Sequence, residues 1–285
     1  MTTTADTVAV NGLRLRYRAD GLDNDGDPVL LLHGISRSLE DWTEQHELLA
    51  DRFRVYSLDL PGHGYSDPLA EPYTLGALAG AVAGFLDTVG ETRPAHVAGN
   101  SLGGAVAMRL AVDAPDRVGS LLLANSAGFG REVTVTLRLL SLRPLGELLL
   151  RWPNRNGARR VVRSLFYDPA FVTEARIDQA MVLAGLPGRS REFLHIGRAL
   201  GTFRGVRPEW RAELLAALVA RPIPTLVVWG ERDLVLPSAQ LVAARRALPH
   251  AQTHLFVDTG HMPQIERAQE FHDLAVNFWA TVPAQ

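Results

Sequence analysis

The 285-residue chain contains no cysteine and no lysine; all 29 of its basic residues are arginine. The first absence excludes disulfides, thiolate metal sites and a cysteine nucleophile. The second excludes Schiff-base chemistry and a lysine-anchored pyridoxal phosphate. Long apolar runs are also missing: ELLAALVARPIPTLVVWG is broken by an arginine and two prolines, so no segment is expected to span a bilayer. The opening MTTTADTVAV has neither a basic nor an apolar signal region. A cytoplasmic protein without stable membrane insertion is therefore expected. A net charge of −2 gives no footing for a nucleic-acid partner. No internal repeat or low-complexity segment is visible, and whether the chain works alone or as a homodimer stays open at this level.

What is present is 47% hydrophobic residues, enough for a chain of this size to bury roughly 75% of its unfolded surface. Two alternating runs, Val8–Val10 and Leu13–Tyr17, flank Asn11-Gly12, a pair that suits a tight hairpin because both turn residues need positive φ. Later runs are short and mostly continuously apolar: Val29–Leu32, Val55–Leu58, Ala95–Ala98, Leu121–Ala124, Leu226–Trp229 and His254–Val257. Such runs fit strands buried on both faces of a parallel sheet. Helical stretches lie between them. Leu39–Ala50 follows Ser38, read as an N-cap with Asp41 at the capping-box position. Leu75–Val89 follows Thr74, Ala239–Leu248 follows Ser238, and Glu266–Thr281 closes the chain. The alternation predicts a doubly wound, mostly parallel α/β sheet.

That alternation lapses between Phe129 and Arg221, where helical stretches such as Thr134–Leu142, Leu145–Trp152 and Ala212–Ala220 are separated by prolines. The segment reads as an insertion of 129–221 into a core of 1–128 and 222–285. It carries 16 Arg against 8 Asp and Glu, a net +8, which leaves −10 for the remainder.

One segment carries most of the chemistry. The apolar strand Ala95–Ala98 runs into Gly99-Asn100-Ser101-Leu102-Gly103, and the apolar helix Ala105–Val112 follows at once. This is Gly-x-Ser-x-Gly in a strand-turn-helix setting, where a strained turn projects the serine hydroxyl above the sheet. A serine is a weak nucleophile without a base, and the base needs an orienting acid. Asp233 follows the strand Leu226–Trp229, and His261 follows His254–Val257, so both lie where ligands bind in open α/β sheets. Glu231 and Asp258 remain rival acids. His33, His63 and His96 are alternatives to His261 by type, each with a loop-ordering or packing reading that outweighs catalysis. Negative charge on a reacting carbonyl needs N–H donors. Leu102, the residue after the serine, supplies one, and Ile35, beyond His33-Gly34, is the choice for the second.

Five motifs, His33-Gly34, Asp59-Leu-Pro-Gly-His-Gly-Tyr-Ser66, Gly99-Asn-Ser-Leu-Gly103, Gly230-Glu-Arg-Asp233 and Gly260-His-Met-Pro-Gln-Ile-Glu266, resemble the α/β-hydrolase superfamily. The likeness covers nearly everything outside the insertion. It implies an α/β-hydrolase fold with a helical cap, the triad Ser101, Asp233 and His261, and a small-molecule substrate with no cofactor and no metal. The chain is similar to bacterial carboxylesterases and to carbon–carbon hydrolases of meta-cleavage products. Asn100 suits the latter. The short loop His33–Arg37 and Met262, where a tryptophan usually stands, depart from them. A serine at the turn argues against the dehalogenases and epoxide hydrolases of the superfamily, which use aspartate. Asn100, Arg189, Arg191 and Met262 are the candidate substrate-binding residues. Some of Leu137–Leu150 is expected to face an apolar or aromatic substrate.

Overall fold

The computed structural model describes residues 5–70 and 72–283. Residues 1–4, at the head of the opening segment read above, lie outside them. Ten strands run in chain order: β1 (Asp6–Val10), β2 (Leu13–Asp20), β3 (Pro28–Leu32), β4 (Arg54–Leu58), β5 (Ala95–Asn100), β6 (Val118–Ala124), β7 (Gly201–Thr202), β8 (Gly205–Val206), β9 (Thr225–Gly230) and β10 (Gln252–Phe256). Eight of them form one sheet in the order β1-β2-β4-β3-β5-β6-β9-β10. β1 and β2 pair as the expected hairpin, Val10 opposite Leu13, with Asn11 and Gly12 at φ 49° and 84°. β2 joins β4 antiparallel, and every later pairing in this sheet is parallel.

The central strands are buried along their whole length because both faces are covered. Alternation along β3 divides the two cores. Leu30 and Leu32 pack on the face covered by α2 (Leu75–Thr88) and α3 (Leu102–Asp113). Val29 and Leu31 pack on the other face with Trp42, Phe271 and Trp279. That second face carries α1 (Thr43–Leu49) and the C-terminal α12 (Ala268–Trp279). α2 starts as expected, the Thr74 hydroxyl accepting the Ala77 N–H at 3.0 Å.

Two helix starts differ from the sequence reading. Residues 39–42 form a 3-10 turn, and Ser38 caps nothing with its side chain. Asp41 instead pairs with the buried Arg37, a charge-assisted contact that takes its carboxylate away from the helix start. The last helix is broken at Arg267 (φ −128°, ψ 45°).

Between β6 and β9 lie α4 (Val135–Leu140), α5 (Leu145–Leu150), α6 (Arg155–Leu165), α7 (Glu174–Gly185), α8 (Arg189–Leu200) and α9 (Pro208–Ala220), with the small ribbon β7–β8 between the last two. α9 rests on α3 and thereby ties the insertion to the sheet. After β9 come α10 (Ala239–Ala247), α11 (Pro263–Glu266) and α12 (Ala268–Trp279). No described helix is long and apolar enough to cross a membrane.

Candidate active site

The sheet delivers three side chains to one edge. Ser101 follows β5 directly, with φ 55° and ψ −114°. Such a conformation costs a non-glycine residue about 1–3 kcal/mol and persists only where the surroundings enforce it. They do: the Ser101 N–H donates to Ala124 O at 3.1 Å, and its carbonyl accepts the N–H groups of Ala127 and Gly104 at 3.0 and 3.2 Å. The flanking glycines are required by contact. A Cβ on Gly99 would lie 2.4 Å from the Gly103 carbonyl, and one on Gly103 would lie 2.1 Å from Leu32 O. The helix therefore leaves the strand too tightly for any side chain at either position.

Asp233 lies just beyond β9, with its carboxylate shielded from solvent. Oδ2 accepts from His261 Nδ1 at 2.7 Å and from Asn125 Nδ2 at 2.6 Å. Oδ1 accepts the N–H groups of Val235 and Leu236 at 2.7 and 3.0 Å. Four donors fill the acceptor sites of one carboxylate. Because Oδ2 can only accept, Nδ1 of His261 carries the proton and Nε2 is the basic nitrogen.

The His261 backbone is held from two sides. Its N–H donates to Leu165 O of the insertion at 2.7 Å, and its carbonyl accepts Asn100 Nδ2 at 2.9 Å. Neither rival acid touches the imidazole: Glu231 and Asp258 face Arg232 at 3.2 and 3.4 Å.

Asn125 belongs to no recognisable sequence motif. It stands at the end of β6 in the left-handed region, φ 46°, and besides Asp233 it accepts the Gly230 N–H at 3.2 Å. The only sequence signal was an asparagine closing an apolar strand, a residue type that tolerates positive φ.

Ser101 opens on a cavity of about 100 Å³ shared by the sheet edge and the insertion. Ile35 and Leu102 line it from below, and Leu137, Leu140, Phe193 and Trp210 line it from above. Among the described residues, neither the Ile35 nor the Leu102 N–H donates to a backbone carbonyl outside regular structure. Leu102 opens a helix, where the first N–H groups have no helical acceptor. Gly34 brings the two strand ends together, since a Cβ there would stand 3.3 Å from Ser101 Cβ.

The four substrate-binding candidates lie elsewhere. Asn100 is buried and its amide is engaged by Ala124 O and His261 O. Arg189 donates to Gly64 O and Ser66 O at 3.0 and 2.7 Å, which fastens the insertion to the Asp59 loop. Arg191 is exposed on α8, and Met262 is fully buried in the core. None of the four lines the cavity. The charged residue that does is Arg198, and Glu147 holds it bidentately at 2.7 and 2.9 Å.

The other histidines order loops and pack. His33 Nδ1 donates to Gly34 O at 2.7 Å while Nε2 accepts the Leu60 N–H at 3.0 Å. Burial lowers its pKa, and it pushes His63 down to about 3. His96 bonds Ser120 and stacks on Trp279. Among the described residues no group of acidic or histidine side chains is arranged to hold a metal ion.

A family model described as the alpha/beta hydrolase fold matches residues 27–268. The chain belongs to that family. This hydrolase is 37% identical over 266 residues to the dihydrolipoyllysine-residue acetyltransferase component of the acetoin cleaving system of Cupriavidus necator, covering 93% of this chain and 66% of that protein. It thus spans about two thirds of that relative's length. It is 30% identical over 262 residues to a 2-hydroxy-6-oxononadienedioate/2-hydroxy-6-oxononatrienedioate hydrolase from a Pseudomonas species, covering 90% and 89% of the two chains. Among solved structures, the enol-lactonase from Burkholderia xenovorans LB400 superimposes with a TM-score of 0.79 at 25% identity, over 96% of this chain and all of that one. The chain is accordingly an enzyme of the α/β-hydrolase family.

Proposed function

We propose that this hydrolase cleaves a carboxylic ester, lactone or thioester of a small apolar or aromatic acid through an acyl-enzyme. The observations that carry the reading are the 2.7 Å contact of Asp233 with His261 and a strained Ser101 that opens on an apolar cavity. In this reading His261 Nε2 takes the Ser101 proton as Oγ attacks the carbonyl carbon. The N–H groups of Leu102 and Ile35 receive the developing oxyanion, and removing one such donor typically costs about 10²–10³ in kcat. His261 then returns the proton to the leaving alkoxide. Water, activated by the same imidazole, releases the acid. Asp233 keeps the ring in the productive tautomer, and Asn125 keeps Asp233 in place. The insertion serves as a cap whose inner wall, Leu137, Phe193 and Trp210 among it, selects an apolar acyl or alcohol group. No step calls for a cofactor.

A second reading uses the same residues to hydrolyse a carbon–carbon bond in a vinylogous diketone, and the likeness to the Pseudomonas dienedioate hydrolase supports it. One assay separates the two. Turnover of p-nitrophenyl butyrate and hexanoate, with a dienone diketo acid left intact, is the expected result. Cleavage of the diketo acid with the esters untouched would replace the first reading by the second. Ser101→Ala should lower kcat by about 10⁶-fold in either case while the protein stays folded.

A further inference from the structure

The outer side of the insertion carries an apolar surface that the hydrolytic site does not use. Along and just beyond α5, Leu148, Leu149 and Trp152 are 59%, 53% and 67% exposed. A leucine pair and a tryptophan so exposed within five residues go beyond the single apolar side chains scattered over ordinary surfaces. Their surroundings are basic. From Arg138 to Arg163 there are seven arginines and one acidic residue, Glu147, which is bonded to Arg198. Arg155 and Arg159 answer Glu174 and Asp178 on α7. Arg143, Arg151 and Arg160 remain exposed, and the Arg151 guanidinium lies 4.6 Å from the Trp152 ring centroid.

Two larger features give this surface a direction. The insertion is +8 on a chain whose remainder is −10, so an anionic plane attracts this side of the molecule and repels the other. α5 also packs on α4 and α8, the helices that carry Leu137, Leu140, Phe193 and Leu194 of the cavity wall. The apolar surface is therefore separated from the cavity by the helices that line it. A second copy of the chain fits it poorly, because a two-fold contact would set one arginine-rich face against another.

We propose that residues 142–152 form a docking surface for an anionic lipid membrane. Leu148, Leu149 and Trp152 enter the boundary between headgroups and acyl chains, and Arg143 and Arg151 meet the lipid phosphates. Tryptophan suits that depth because its ring is apolar and its N–H is not.

The test is co-sedimentation of the full chain with large unilamellar vesicles, either pure phosphatidylcholine or a mixture rich in phosphatidylglycerol, at low and raised salt. Binding at least about tenfold tighter to the phosphatidylglycerol vesicles, weakening as salt rises, is expected. The combined Leu148→Ser, Leu149→Ser and Trp152→Ala variant should bind about tenfold less at an unchanged unfolding midpoint. Brominated lipids should quench the tryptophan fluorescence of the parent chain but not the corresponding part in Trp152→Phe, a readout that needs no destabilising change. Equal binding to both vesicles, no binding to either, or quenching that survives Trp152→Phe would overturn the proposal. So would light scattering that shows a dimer abolished by the triple variant, which would assign the surface to a second copy.

Discussion

Asp233 and Asp258 lie 25 positions apart in the chain and both fall on loops beside His261, yet only one of them touches it. The sequence reading favoured Asp233 by its place after β9. What distinguishes the two physically is the set of four donors around a carboxylate closed to solvent, against a surface position beside Arg232 for Asp258. Asp233→Asn should therefore lower kcat by roughly 10⁴-fold, the loss expected when the imidazole is held in the wrong tautomer. Asp258→Asn should cost less than about tenfold, as a solvent-exposed ion pair is worth little. Steady-state kinetics on one p-nitrophenyl ester compares them, and a reversed order would move the orienting role to Asp258. The candidates Ser101, Asp233 and His261 stand out in the sequence because glycine motifs mark the ends of their strands. Asn125 does not, because its partners, Gly230 and Asp233, are more than a hundred residues away.

At the scale of elements, the hairpin at Asn11-Gly12 and the buried strands were readable because their signals are local: two positive φ values, and unbroken apolar runs. The start at Ser38 misled for the opposite reason. A local capping pattern lost to Arg37, which draws Asp41 away. The insertion was readable as a helical interruption, but not its inner wall, since Glu147 and Arg198 meet across 51 positions from different helices. That pair has a consequence for specificity. Arg198 lines the cavity with its guanidinium already occupied, so a substrate carboxylate finds no free partner there. Glu147→Gln removes the competing charge. The ratio of kcat/KM for an ester with a remote carboxylate to that for its methyl ester should rise about tenfold, as expected when one charge-assisted contact is gained. An unchanged ratio would mean that Arg198 is out of reach of bound substrate.

The whole molecule holds several histidines in its buried interior. Burial lowers the pKa of His33 and His46, brings His96 to about 4 and, with the neighbouring His33 opposing a second proton nearby, brings His63 to about 3. In the unfolded chain these rings regain an ordinary value near 6.5. Below that pH the unfolded state binds more protons than the native one, so stability present above about pH 6.5 is lost as the pH falls. Each such ring contributes a slope of about 1.4 kcal/mol per pH unit across its window. Urea midpoints should accordingly drop between about pH 7.5 and about pH 5, and a flat or rising profile would show that these rings are not held neutral. Asp59 and Glu266, raised by burial, act in the opposite sense at lower pH. The fold itself was legible at this scale from the order of its motifs, whereas the exposed Leu148, Leu149 and Trp152 were not: a leucine-rich stretch reads as packing until its neighbours are known. The proposed chemistry turns on Ser101 Oγ forming a covalent intermediate. The most direct measurement is the mass of the intact protein, followed by peptide mapping, after reaction with a fluorophosphonate that phosphonylates activated serines. One adduct per chain, on Ser101, with complete loss of ester hydrolysis and no adduct in Ser101→Ala, is the predicted result; hydrolysis that continues on an unlabelled chain, or a label on any other residue, would contradict it.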